Sequence, residues 1–322
     1  MTTALATGAI GAAVATWQVA ILRAFSWISR GIRSPARDAM LSDIAPADAY
    51  GRAFGLERAG DNLGAVAGPL LAAGLVGWIG VRPTLYLAAV PGLFAALAIT
   101  IAASEAKKCS STQRTAPISK LRVTIPPGLG QALVPIAAFE LGNMATTLLI
   151  LRATRVFHQG ERSLAVATSL AILLYAAYNL VGSGAAYAAG HWLDRRNART
   201  VFVSGALLYS FSYLLFGLSD RGVFVVFAFL LAGGGIGLTE TAESTLFARL
   251  LSAEDRGSGF GILGGVQAFG DFASSAIVGL LWTTVGVVAA FVYAAGLVAV
   301  AALIAATRPL APTSVHPAAP LI

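Results

Sequence analysis

Several acidic side chains stand where carboxylates are expensive. Glu140 lies near the middle of the apolar stretch Gly130–Leu151, with Asn143 on the same turn. Glu240 and Glu243 are three apart near the end of Gly222–Leu250, so on a helix they share a face. Asp271 lies well inside Gly257–Thr283, where a helix-dipole explanation is weak. A charge at a bilayer centre costs roughly 2.5–3.5 kcal/mol on insertion scales, so within a span it marks a water-filled cavity or a paired contact. Glu140 is therefore a candidate proton carrier, with a hydrogen-bonded carboxylate between helices as the even alternative. Glu240 and Glu243 fit cation or proton binding, or a place at the mouth of the bundle near Arg249; the mouth is the expectation for Glu243. Asp271 reads as a cavity residue or an interhelical polar contact. Asn179, Tyr175 and Tyr178 are candidate pocket-lining residues, although aromatic residues on helices more often pack. Arg23 interrupts another apolar run, Trp17–Gly31.

These assignments presuppose a membrane, and composition supplies one. The chain has 322 residues, 57% hydrophobic and only 11% charged, whereas soluble domains carry about a quarter charged residues. The net charge of +7 fits basic loops that orient membrane proteins better than nucleic-acid binding, and no nucleic-acid partner is expected. A single cysteine, Cys109, and three scattered histidines, His158, His191 and His316, build neither an intramolecular disulfide nor a metal site. No cofactor is expected. There is no HExxH, nucleophile elbow or Walker loop, so the chain does not read as an enzyme or as directly coupled to ATP. The start lacks a basic n-region and does not read as a signal peptide.

A span needs about 20 apolar residues. Ala4–Ala15 is short and reads as a partial span before an interfacial turn at Thr16–Gln18; one helix from Ala4 to Ile28 is the alternative. Trp17–Gly31 follows, then a charged stretch, Arg30–Asp48, punctuated by Pro35 and Pro46. Gly51–Leu75 and Thr84–Ala103 are separated by a Gly-rich turn. After a polar linker come Gly130–Leu151, Leu164–Ala189, Thr200–Leu218, Gly222–Leu250, Gly257–Thr283 and Val285–Ala306. The expected domains are an incomplete N-terminal helical bundle (1–103), a cytoplasmic linker (104–128), a C-terminal six-helix bundle (129–308) and a disordered tail (309–322). Alternate loops hold 16 of the 22 Lys and Arg and the others hold five; the positive-inside rule puts the basic set in the cytoplasm, with Arg152, Arg155 and Arg162 as a mild exception.

The elbow Gly190–Arg199, GHWLDRRNAR, places Asp194, Arg195, Arg196 and Arg199 between two apolar runs. Sliding the chain by 206 residues lays Gly51-Arg-Ala-Phe54-Gly55 on Gly257-Ser-Gly-Phe260-Gly261, and Gly64 on Gly270, without a gap. Gly64-Ala-Val-Ala-Gly68-Pro69 is a small-residue run able to bring helices close, with a proline that bends one of them; an ordinary helix contact is the alternative. The elbow resembles motif A of the major facilitator superfamily, with Asn197 and Ala198 replacing a Gly and an Arg. Gly64–Ala73 resembles motif C of its proton-driven efflux antiporters, and Arg23 with Gly31 resembles motif B. The repeat is how that superfamily is built.

The resemblance implies an all-α, polytopic transmembrane bundle of two pseudo-symmetric halves, with about nine full spans plus a partial first one. It looks like an efflux-type branch lacking roughly its first two spans and part of the third. The implied function is transport of a small molecule by alternating access, coupled to protons or another ion, in a bacterial plasma (inner) membrane; a non-transporting fragment or scaffold is the alternative. Gly190, Asp194, Arg195 and Arg199 would form a gate, with Asp194 facing the first turn of the Gly51–Leu75 helix near Arg52. Glu57, Arg58 and Asp61 would supply gating salt bridges, and Gly64, Gly68 and Pro69 a flexible helix contact.

Overall fold

The computed structural model describes residues 2–109, 129–159 and 162–307. All regular structure among them is helical. Eight of these helical segments are long and apolar enough to cross a membrane, and large apolar side chains such as Phe272, Leu280 and Leu303 stand exposed along them. An apolar exterior on apolar helices is the pattern of a chain solvated by lipid.

The chain divides into two compact units, residues 1–44 with 67–124, and 45–66 with 125–322. The first unit opens with α1 (Thr2–Ala9) and one 3-10 turn, Ile10–Ala12. The chain then breaks before α2 (Thr16–Ile44). Gln18 makes the break: its side-chain oxygen accepts from the backbone N–H groups of Val14 and Ala15, at 2.8 and 3.3 Å, the back-reaching half of a capping box. The expected interfacial turn thus falls just before Thr16, and Ala4–Ile28 is not one helix. The charged stretch after Arg30 is not a loop either, because α2 runs through Pro35 to Ile44. Pro35 removes one backbone hydrogen bond, but Arg30, Arg33 and Arg37 recur at helical spacing along one side. So many charges keep α2 out of the membrane-crossing set.

α3 (Tyr50–Ile79) passes from the second unit into the first after Val66. It ends at Gly80, whose φ of +83° needs a residue without a Cβ. α4 (Val81–Leu87) and α5 (Ala89–Cys109) follow. α5 continues through the first six residues of the expected linker. The remainder of that linker and the expected tail lie outside the described residues.

The second unit holds α6 (Leu129–Gly142), α7 (Thr146–His158), α8 (Leu164–Arg195), α9 (Ala198–Leu218), α10 (Gly222–Leu250), α11 (Arg256–Thr284) and α12 (Val287–Thr307). α10 is its core, and glycine is the reason. A Cβ on Gly235 would lie 2.8 Å from the Gly205 carbonyl oxygen of α9, and Gly233 and Gly237 abut the backbone of α8 at Tyr178 and Gly182. Without hydrophobic driving force in lipid, backbones held this close supply the packing. The three arginines expected in one loop are all engaged, and two of them, Arg152 and Arg155, lie on α7 instead. Arg152 is buried, donating to the carbonyls of Phe216 and Ser219 and to Asp220 at 2.7–3.1 Å. Arg155 lies over Trp282 and Arg162 over Phe157.

Candidate functional site

The stretch read as one span, Gly130–Leu151, is two helices. α6 stops at Gly142 and α7 starts at Thr146. Backbone freed at such a break must find partners inside the protein. Met144 N–H donates to Tyr213 Oη at 3.2 Å, and Ala145 N–H to Ser275 Oγ at 2.9 Å. Asn143 sits at the break, and its amide nitrogen donates to Glu140 Oε2 and Asp271 Oδ1, both at 3.0 Å. Tyr209 Oη donates to the Asn143 side-chain oxygen at 3.1 Å.

The break thus brings together Glu140 of α6, Asn143 of the junction and Asp271 of α11. Glu140 is 3% exposed, and Gly270 packs so closely on it that any Cβ there would collide with Glu140 Cβ. No Arg, Lys or His pairs with Glu140 or Asp271 among the described residues. Two carboxylates sharing one amide, with no cation in contact, form an arrangement whose charge can be adjusted only by binding protons or cations. Among the described residues, no group of three or more His, Cys, Asp or Glu is placed to hold a metal ion.

Of the other acidic candidates, Glu243 lies close enough to Glu140 to act on it electrostatically, more strongly than Asp271 does, and Glu240 acts more weakly. Glu243 is not at the mouth near Arg249: it is 1% exposed, Oε2 accepts from Gln267 at 2.7 Å, and Oε1 has no hydrogen-bond partner. Gln267 lies one turn before Asp271 on α11, so the burial of Glu243 turns on a contact its own helix does not reveal. Glu240 is nearer water and lies 3.9 Å from Arg58, which also donates to Ser244 at 3.2 Å. Glu57 is 3.6 Å from Arg58, and Asp61 is exposed. Asn179 is buried but donates within its own helix, to the Tyr175 carbonyl, while Tyr175 and Tyr178 stack on one another. Arg23 is exposed, not buried. It lines a small cavity of about 170 Å³ in the first unit, with Thr3, Thr7, Ser26 and Arg30.

A second constellation lies at the end carrying the basic loops. Asp194 Oδ1 accepts from Gly51 N–H at 2.8 Å, and Oδ2 accepts from Arg52 Nε at 2.7 Å. The carboxylate therefore meets the N-terminal turn of α3, where free N–H groups and the helix dipole favour an anion. Gly190 makes the approach feasible: a Cβ there would lie 2.6 Å from the Gly51 carbonyl oxygen, and one on Gly55 would lie 2.6 Å from that of Ala186. One turn further on, Ser183 Oγ donates to the Ala59 carbonyl at 2.9 Å. Arg195 and Arg199 form no ion pair among the described residues. Asn197, a departure from the motif, caps α9 by accepting from Arg199 N–H at 3.1 Å. A Cβ on Gly64 or Gly68 would meet no atom within 4 Å among the described residues. Pro69 sits inside an unbroken α3.

The family model described as Major Facilitator Superfamily matches residues 1–242 and again 133–320. The chain belongs to the Major Facilitator Superfamily. It is 28% identical to an uncharacterized protein of Mycobacterium tuberculosis over 312 residues, 93% of this chain and 73% of that protein. An uncharacterized MFS-type transporter of Methanocaldococcus jannaschii is 26% identical over 262 residues, 79% of this chain and 63% of that one. Among solved structures, the human organic anion transporter TETRAN superposes with a TM-score of 0.68 at 16% identity, covering 95% of this chain and 75% of that one. A proton:xylose symporter superposes with a TM-score of 0.67 at 14% identity, covering 89% and 70%. The chain is thus a multi-pass integral membrane protein with the fold and family of membrane transporters. Superfamily members are generally not enzymes.

Proposed function

We propose that this protein exports a small amphipathic compound across a bacterial plasma membrane in exchange for protons, by alternating access, with Glu140 as the proton carrier. The observation that carries the reading is the hydrogen-bonded set Glu140–Asn143–Asp271 at the break between α6 and α7. Discontinuous helices near the membrane centre are where transporters of several folds place coupling ions. A buried carboxylate with no cationic partner is a group whose proton can be gained and lost as its surroundings change. Asn143 holds it toward Asp271, and Tyr209 fixes the amide. Outward direction rests on the motif C resemblance of Gly64–Ala73.

Asp194, seated on the first turn of α3, gates the cytoplasmic end in this reading, with Gly190 and Gly55 providing the close contact. Arg52, Glu57, Arg58 and Glu240 form the charged rim of the same end.

The test is transport in proteoliposomes enclosing a pH-sensitive dye, with a panel of cationic, neutral and anionic amphipathic compounds. Wild type should show proton movement opposite to at least one compound. Glu140→Gln should retain exchange of that compound against itself and lose its response to a pH gradient. Full proton coupling in Glu140→Gln would remove Glu140 from the role.

A further inference from the structure

The 206-residue repeat has a counterpart in space. It superimposes Tyr50 on Arg256 and Phe54 on Phe260, and in the structure each of these residues touches its own equivalent. Arg256 Nη2 donates to Tyr50 Oη at 2.6 Å, with the guanidinium 5.7 Å from the centre of the Tyr50 ring. The Phe54 and Phe260 rings are 5.9 Å apart at 35°. Residues related by a rotation meet their own equivalents only beside the axis of that rotation. Two such pairs, one turn apart on both helices, place the pseudo-twofold axis between the first turns of α3 and α11.

The aromatic pair is sealed from solvent, while Arg256 of the other pair is half-buried. Phe54 and Phe260 are 0% and 1% exposed, and Phe247 of α10 backs Phe260 at 6.3 Å. On its other side the same turn of α3 carries Gly51 and Gly55 against α8. Between these buried positions lie Arg52, Leu56 and Glu57, of which Arg52 and Leu56 are exposed. The first turns of α3 are thus gripped on two sides, by α8 through glycine and by α11 through aromatic rings. They belong to the second unit, while α3 from Ala67 onward belongs to the first.

We infer that Tyr50, Phe54, Arg256 and Phe260 form an axial latch that holds the basic, cytoplasmic end closed and must part once in each transport cycle. The inference rests on the alternating-access reading but not on proton coupling or on the identity of the cargo. At an axis both helices present the same positions to each other, so what closes the latch is which side chains meet, not which helix carries each. Exchanging the partners across the axis therefore preserves it. A contact that merely packed one helix onto another in an unrelated register has no reason to survive the exchange.

The test reads accessibility instead of transport. In full-length protein with Cys109→Ser and Ala59→Cys, labelling by a membrane-impermeant maleimide is measured from the cytoplasmic face of inside-out vesicles. Labelling should be slow in this parent. Tyr50→Arg alone and Arg256→Tyr alone should each raise it at least roughly fivefold, the lower range of measured coupling between sites. Tyr50→Arg combined with Arg256→Tyr should return it to within about twofold of the parent. Unchanged labelling in both single variants overturns the latch, and a double variant as open as the singles overturns its axial character. A second arm avoids variants that fold poorly: a short bis-maleimide applied to Tyr50→Cys/Arg256→Cys, in a Cys109→Ser background, should cross-link α3 to α11 and halt turnover. Failure to cross-link, or turnover that continues after cross-linking, contradicts the latch. Loss of proton coupling in Glu140→Gln with an intact labelling pattern would separate this inference from the carrier assignment.

Discussion

Asp194 and Glu140 are both carboxylates largely withdrawn from solvent, and they are satisfied in opposite ways. Asp194 accepts from a backbone N–H at the start of a helix and from a guanidinium, so its negative charge is compensated where it stands. Glu140 accepts from a neutral amide that it shares with a second carboxylate, so its charge is not. A carboxylate of the first kind fixes a geometry, while one of the second kind has its protonation left open. Under the proposed function, this difference gives mechanics to the basic end of the bundle and chemistry to the break between α6 and α7.

Substitutions that make the two sites fail differently would sharpen this division. The largest effect is expected at the close contact. Gly190→Val forces a side chain against the backbone at Gly51; overpacking of this kind costs about 1–3 kcal/mol. Every mode of transport should fall at least tenfold, a factor that corresponds to about 1.4 kcal/mol, and cytoplasmic labelling at Ala59→Cys should rise. Glu140→Gln should leave that labelling unchanged and abolish only gradient-driven exchange, which dye-loaded proteoliposomes measure. Equal loss of gradient-driven and passive exchange would erase the distinction.

Asn143→Leu comes next, because it keeps volume but removes the amide that joins Glu140 to Asp271. It should weaken the pH response of exchange severalfold and also lower the melting temperature in detergent, since it removes three hydrogen bonds and each buried group left unsatisfied costs about 1–3 kcal/mol. Asp194→Asn retains an acceptor for Gly51 N–H and loses the attraction to Arg52, whose side chain is 53% exposed. Exposed pairs contribute about 0–1 kcal/mol, so labelling at Ala59→Cys should increase by less than about fivefold. The smallest effect belongs to Gly64→Ala and Gly68→Ala. A Cβ at either position finds room among the described residues, and alanine favours a helix by up to about 1 kcal/mol per site. Melting temperatures should hold or rise, and a marked loss of stability would show that these glycines do meet a partner.

Those two glycines also show where the sequence stops being informative. Gly51 and Gly55 have the same spacing as Gly64 and Gly68 on the same helix, yet only the first pair is packed. Spacing states that a helix could approach; the approach itself needs small residues on a partner, here Ala186 and Gly190. The C-terminal spans were legible because long apolar runs ended at charged elbows, and α10 has the bounds its apolar run implied. α2 was not, because charges at helical spacing resemble a loop in composition. The break at Asn143–Ala145 follows Gly142, but a lone glycine inside an apolar run is compatible with a continuing helix, and the partners of the break, Tyr213 and Ser275, lie on other helices. Glu140 and Asn143 could be paired by reading along one helix, whereas Asp271 joins them only through the fold. Tyr50 and Arg256 were aligned by the repeat, but that aligned residues would touch follows only from where the axis passes.

Infrared difference spectroscopy of the reconstituted protein between acid and alkaline pH tests the central assignment most directly, because it observes protonated carboxyl groups themselves. The account predicts a carboxyl band in wild type that disappears in Glu140→Gln and persists in Asp194→Asn. Identical spectra for wild type and Glu140→Gln, or loss of the band in Asp194→Asn, would contradict it.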